Sequence, residues 1–243
     1  MLTPDPEYGT PKALLEVGGV PRVKLIDHHI AWLGLQGAKK VIVGAGDQLP
    51  VATYTRDRYA KNPNVAVATS LRQLGTAGDL LHALHEEPEL FGDQTLVINA
   101  DTIVQLAVNT LLESHRNRGN DMTVALTQIE GVPNYNKYGL DEHDRVVACG
   151  EIDEEASVVS AVQRGSSMGA TVVSTEFLQS IDWTPAMGPL SLYTNLVAEA
   201  FRRGTLSGFN AGKAFMMDVG TEATFTAATQ NADNVLDPYL CRP

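Results

Sequence analysis

Cysteine is nearly absent: the 243 residues hold two, Cys149 and Cys241. Their wide separation gives neither a CxxC pair nor a metal-binding spacing. A disulfide framework is excluded as the organising feature, and a reduced, cytoplasmic protein is expected. Basic residues are scarce as well, with 18 Lys and Arg against 29 Asp and Glu and a formal net charge of −11. Nucleic acid and anionic membranes attract basic surfaces, so neither is an expected partner. An acidic protein that handles phosphates needs a local positive group or a divalent metal. No apolar run reaches the length of a membrane span. The first residues lack the basic and apolar regions of a secretory signal. The patterns GxxxxGK[ST], GxGxxG, HExxH and GxSxG do not occur, and there is no internal repeat.

What is present is an ordinary globular composition, 44% hydrophobic and 19% charged, long enough for one large α/β domain. Residues 23–35 carry Leu25, Ile26, Ile30 and Leu33 at helical spacing, and Gly37 ends that helix. A strand is expected at 40–43, a helix at 49–60, a strand at 64–69 and a helical run from Asp79 to Leu84. Further strands are expected at 95–99 and 122–126, with a helix at 106–116 between them. This alternation is the βαβ signature of a doubly wound, mainly parallel sheet. The second half changes character. Residues 138–140 and 145–148 flank a polar turn, Asp141-Glu142-His143-Asp144, and read as a β-hairpin. A buried strand at 170–173, a helix at 191–203, a strand at 214–219 and a helix at 222–229 complete the pattern. The whole is expected as a single domain, 1–128 forming one half and 129–243 the other.

Chemistry concentrates where apolar strands stop. Leu96-Val97-Ile98 runs into Asn99-Ala100-Asp101-Thr102. A carboxylate there sits at the carboxyl edge of the sheet, where α/β folds bind ligands. It either holds a hard cation or caps the following turn. A second such corner, Asp218-Val219-Gly220-Thr221, ends the strand at 214–219. Lys12 is either a surface charge or a phosphate contact. Leu74-Gly75-Thr76-Ala77-Gly78 leads into a helix, and is either a tight turn or a cradle for an anion on free N–H groups. His82 and His85, the acidic runs at 86–87 and 153–155, and Ser166-Ser167 read as ordinary solvated or structural residues.

In this order, five segments resemble the sugar-phosphate nucleotidyltransferase family. Thr10-Pro11-Lys12-Ala13-Leu14-Leu15-Glu16-Val17-Gly18-Gly19 is similar to its Pro-Lys segment, and Leu74–Gly78 to its nucleotide loop. Asn99–Thr102 resembles its Asn-Gly-Asp-Thr metal corner. Lys137-Tyr138-Gly139 is similar to its sugar-side Tyr-Gly, and Asp218–Thr221 to its second metal corner. The resemblance implies a Rossmann-like nucleotidyltransferase fold with a small β-hairpin sugar-binding region. It implies transfer of a nucleotidyl group from an NTP to a sugar 1-phosphate, giving an NDP-sugar and pyrophosphate. It assigns Mg²⁺ to Asp101 and Asp218, catalysis to these and Lys12, and nucleotide contact to Gly75, Thr76 and Asn99. Sugar contact falls to Tyr138, Gly139, Glu151 and Gly169. Self-association into a homo-oligomer is compatible with it. The chain departs from the family in having no GGxGTRL signature ahead of the Pro-Lys segment. It also reads Glu151-Ile152 where Glu-Lys is common, Ser167-Met168-Gly169 where Asn-Ala-Gly is common, and Ser191-Leu192-Tyr193 where Ser-Leu-Glu is common. The alternative expectation is therefore a noncatalytic relative that binds ligands or regulates a partner.

Overall fold

The structure, a computed structural model, describes residues 10–17, 22–128, 137–150 and 161–230. A short 3-10 turn at Lys12–Leu14 precedes strands β1 (Glu16–Val17) and β2 (Val23–Lys24) and helix α1 (Leu25–Leu35). Then come β3 (Val41–Gly46), α2 (Leu49–Arg58), β4 (Val65–Thr69), α3 (Gly75–Glu86), β5 (Gln94–Ile98), β6 (Thr102–Val104), α4 (Val108–Arg118) and β7 (Met122–Thr127). The second half holds β8 (Lys137–Leu140), β9 (Val146–Cys149), β10 (Gln163–Ser174), α5 (Thr175–Gln179), α6 (Ala198–Arg203), β11 (Leu206–Asn210), β12 (Met216–Asp218) and α7 (Glu222–Gln230). The α/β alternation and the hairpin at 137–149 are those expected from the sequence.

The described residues pack as two compact units, each discontinuous in sequence. Unit one draws on segments 1–73, 100–103 and 217–243; unit two comprises Leu74–Asn99 and Val104–Met216. In unit one, β3 and β4 pair in parallel, Val41 beside Val65 and Val43 beside Val67. Among the described residues β3 has no strand on its other edge. Its core is Ala13, Ile26, Ile30, Val43, Ala45, Val51 and Ala52. Helix α1 contributes because its apolar residues recur at helical spacing, and it stops at Gly37, whose φ of +84° few other residues tolerate. Helix α2 is set by a proline in its first turn, where the missing N–H is harmless.

Unit two is built on β10. It runs antiparallel to β5, β7 and β8, while β11 joins β7 in parallel and β9 closes the hairpin on β8. Residues 166–173 of β10 are all buried, Ser166, Ser167 and Thr171 among them, so the strand is covered on both faces although its sequence is not an unbroken apolar run. The polar hairpin turn is held by Asp141, whose Oδ1 accepts from the N–H groups of His143 and Arg145. Asp144 then takes φ of +57°, a conformation that Asp tolerates better than most residues.

Three elements differ from the sequence expectation. Helix α3 begins at Gly75 rather than Asp79. The segment read as one helix over 191–203 is a π-helical stretch at Leu192–Val197 followed by α6. Strand β11 has no counterpart in the sequence expectation, and it carries Gly208 at its centre. A Cβ there would lie 2.5 Å from Leu140 Cδ2, so close side-chain packing, not backbone freedom, selects glycine.

Candidate functional site

The phosphate and metal candidates all lie in unit one. Pro11 and Lys12 accept from the N–H groups of Leu14 and Leu15 in the tight turn, and fully buried Ala13 anchors it. The Lys12 ammonium thereby stands 3.8 Å from Asp101 Oδ2, both side chains about a quarter exposed. Asp101 is joined to the second corner through the main chain: Val219 N–H donates to the Asp101 carbonyl at 2.8 Å. Asp218 itself folds back, Oδ1 accepting from Gly220 N–H. A Cβ at residue 220 would lie 2.6 Å from that oxygen, so a larger residue there would push the carboxylate aside. The two strand-end corners, 117 positions apart in sequence, thus meet through the main chain. Their carboxylates are hard oxygen donors of the kind that can hold Mg²⁺. No group of three His, Cys, Asp or Glu side chains with metal-ligand placement occurs among the described residues.

The nucleotide candidates lie in unit two. The third and fourth N–H groups of α3, those of Ala77 and Gly78, donate to the Leu190 carbonyl, at 3.0 and 3.4 Å. In return Leu190 N–H donates to the Leu74 carbonyl, and Leu192 N–H to Thr76 Oγ1, each at 2.8 Å. This clasp caps α3 from a distant segment and explains why the helix begins four residues early. Gly75 has φ of +79°, and a Cβ there would stand 2.3 Å from the Leu190 oxygen. Gly75 and Thr76 therefore sit at the edge of a fixed turn.

Asn99 and Gly169 come together, Asn99 N–H donating to the Gly169 carbonyl at 2.8 Å. Gly169 has φ of +69° and lies where the pairing of β10 with β7 shifts register between Ser167 and Thr171. Such bulges re-aim the chain beside functional sites. Tyr138, expected on the sugar side, is instead placed in the core of unit two at 1% exposure. Gly139 is buried beside it, its missing side chain making room for the methyls of Ala148 and Ala161. As placed, this pair anchors the hairpin. Glu151 lies outside the described residues.

The nucleotidyl transferase family profile matches residues 8–234. The chain belongs to the nucleotidyl transferase family. Among curated relatives of this nucleotidyl transferase are the mannose-1-phosphate guanyltransferases of Yarrowia lipolytica and Saccharomyces cerevisiae. Each is 26% identical, over 227 and 224 residues, about 90% of the chain. The chain spans 57% and 58% of the length of those two proteins. Solved structures share the fold. HddC from Yersinia pseudotuberculosis complexed with GMP-PN has a TM-score of 0.69 at 19% identity, covering 92% of this chain and 90% of that one. The inositol-1-phosphate CTP transferase from T. maritima has a TM-score of 0.67 at 12% identity, covering 95% and 89%.

Two polar groupings in this nucleotidyl transferase carry no sequence signal. In unit one, Asp27 accepts from two phenols of α2 and its C-terminal edge, Tyr54 at 2.7 Å and Tyr59 at 2.9 Å. Burial, reinforced by the Asp27 carboxylate, pushes the Tyr54 phenol up to about 12 and raises Tyr59 as well. In unit two, His115 Nδ1 meets Thr123 Oγ1 at 2.9 Å, and Thr123 meets Ser207 Oγ at 2.8 Å, all three buried. Burial lowers the pKa of His115. The first ties α1 to α2, and the second ties α4 to β7 and β11.

Proposed function

We propose that the protein transfers a nucleotidyl group from an NTP to a sugar 1-phosphate, forming an NDP-sugar and pyrophosphate. The observation that carries this reading is the corner in unit one, where Lys12 pairs with Asp101 and Asp101 is joined by its main chain to the Asp218 loop. A phosphate oxygen of the sugar phosphate attacks the α-phosphorus in line. The new O–P bond forms as the bond to the β-phosphate oxygen breaks, and pyrophosphate leaves. The nucleophile is already ionised, so no general base is needed. Asp101 and Asp218 would hold Mg²⁺, which supplies charge neutralisation on the reacting phosphates. Lys12 acts as a point charge, exchanging its Asp101 partner for substrate phosphate. Asn99, Gly75 and Thr76 face the nucleotide. Gly169, with Gly139 and Glu151, serves the sugar side, through the backbone in the case of the glycines. Catalysis is then positioning and electrostatics.

The activity for which the fungal relatives are named makes GTP with mannose 1-phosphate the first pair to test. Pyrophosphate release is measured across a panel of NTPs and sugar 1-phosphates with Mg²⁺. Asp101→Asn and Asp218→Asn should each lower the rate by roughly 10²-fold or more, and chelation should abolish it. Unchanged rates in either variant would sink the metal assignment. A second reading, a noncatalytic ligand-binding relative, is favoured by one finding: the N–H groups of Ala77 and Gly78 in the first turn of α3 are committed to the Leu190 carbonyl. NTP binding without pyrophosphate release across the panel would establish it. The acidic surface, the two cysteines and the lack, among described helices, of one long and apolar enough to cross a membrane support a cytoplasmic setting.

A further inference from the structure

The clasp on α3 has a buttress. Trp183 lies on the segment that leads to Leu190, and it touches both sides of the contact. Its indole N–H donates to the Gly188 carbonyl at 2.9 Å, closing the loop that delivers Leu190. Its ring edge presses on α3: a Cβ at Gly78 would lie 3.0 Å from Trp183 Cζ2 and 3.2 Å from Cη2. Glycine at 78 therefore lets the indole lie against the helix backbone. Gly188, at φ of +95°, makes the turn between Trp183 and Leu190. Beyond Leu190, Ser191 Oγ accepts from Tyr193 and Thr194 N–H, and Asn195 Oδ1 accepts from Ser191 N–H. The segment is thus fixed on its far side by its own helix start. Between these anchors, Leu190 and Leu192 grip Leu74, Thr76, Ala77 and Gly78 by four hydrogen bonds.

We propose that Trp183 is a positioning residue for nucleotide binding, holding the Gly188–Leu192 segment that sets the backbone of Gly75 and Thr76. This rests on the reading that Gly75 and Thr76 meet the nucleotide. Trp183 belongs to unit two, while Lys12, Asp101 and Asp218 belong to unit one, so its loss is expected to act on nucleotide affinity and to leave the chemical step alone.

The test uses the full chain and four variants. Trp183→Phe keeps a ring and removes the bond to Gly188. Trp183→Ala removes both. Gly188→Ala adds a methyl with nothing within 4 Å of it, so it perturbs only the backbone of the turn. Gly75→Ala strikes the proposed nucleotide contact and, with its Cβ against the Leu190 carbonyl, the clasp as well. Binding of Mg-ATP, Mg-GTP, Mg-UTP and Mg-CTP is measured by calorimetry, and KM and kcat by pyrophosphate release. Trp183→Phe and Gly188→Ala should weaken the best NTP about tenfold, the scale of one lost hydrogen bond. Trp183→Ala should weaken it further. The kcat and the KM for sugar phosphate should stay within about twofold, with the melting temperature of Trp183→Phe and Gly188→Ala falling by only a few degrees.

Equal losses for both substrates, or losses that follow the melting temperature, would make Trp183 merely structural and overturn the proposal. If Gly75→Ala loses nucleotide while Trp183→Phe and Gly188→Ala bind like the parent, the proposal falls and the nucleotide reading stands. If folded Gly75→Ala binds like the parent, or the parent binds none of the four, the nucleotide reading falls and takes the proposal with it.

Discussion

At the scale of single residues, Asp101 shows how one side chain can be held by competing partners. Its ion pair with Lys12 at 3.8 Å is partly exposed, and such pairs contribute at most about 1 kcal/mol. Lys12→Ala should therefore leave the melting temperature within a few degrees of the parent while lowering the transfer rate at least tenfold, read from thermal scans and pyrophosphate release. His29 offers a different test. Burial holds its pKa down to about 4, with the backbone of Ala100 pulling the other way. An unfolded histidine titrates near 6.5. As pH falls below about 6.5 the unfolded chain takes up the proton first. The stability contribution is complete above that pH, declines from 6.5 to 4, and is gone below 4. By pH 5 the loss should reach roughly 2 kcal/mol. Urea midpoints at pH 7.5 and 5 should diverge in the parent and converge in His29→Leu, with the lowered pKa of His115 leaving a residual slope of the same sign. Asp101, Asp218 and Lys12 were legible in the sequence because each sits at an abrupt strand end or beside a proline. Trp183 and His29 were not. Their roles depend on what a distant segment places against them, and no local spacing encodes that.

At the scale of elements, the strands and helices of the first 128 residues follow the hydrophobic pattern closely, because both ends of each are marked by glycine, proline or polar turns. The errors occur where a tertiary contact overrides a local signal. Helix α3 extends back through Gly75 because the Leu190 carbonyl caps it. The π-helical turn at Leu192–Val197 begins where Ser191 and the clasp fix the chain from both sides, and π turns are frequent at functional sites. Tyr138 illustrates the reverse: a motif residue that packing has taken into the core. The Asp27 clamp permits an element-level test. Tyr59→Phe removes one phenol from the pair that ties α2 to α1, and should lower stability by about 1 kcal/mol without altering nucleotide affinity. Chemical denaturation and calorimetry on the same sample check both halves of that statement.

At the scale of the molecule, the two cores are unequal. Among the described residues the cluster of unit one holds seven buried side chains, three of them alanine, against eighteen in unit two. The parallel pair β3–β4 also leaves one edge of β3 without a strand among the described residues, and unpaired edges add nothing to cohesion. The chain has two tryptophans, Trp32 in unit one and Trp183 in unit two. Fluorescence of Trp183→Phe and Trp32→Phe therefore reports each unit separately. The transition seen by Trp32 should come at lower urea than that seen by Trp183; coincident transitions would show that the units unfold together.

The hydrogen bond from Val219 to the Asp101 carbonyl also bears on how the protein is made. A ribosome that has just added Asp101 has produced one carboxylate of the pair, and the other follows 117 codons later. At about 5–20 residues per second, that delay lasts roughly 6–23 s. A nascent chain shorter than 218 residues can already form the Lys12–Asp101 pair, yet it carries no second carboxylate. The proposed capacity to hold a divalent ion is therefore acquired only once residue 218 has been added, and lysine is the partner that can accompany Asp101 until then.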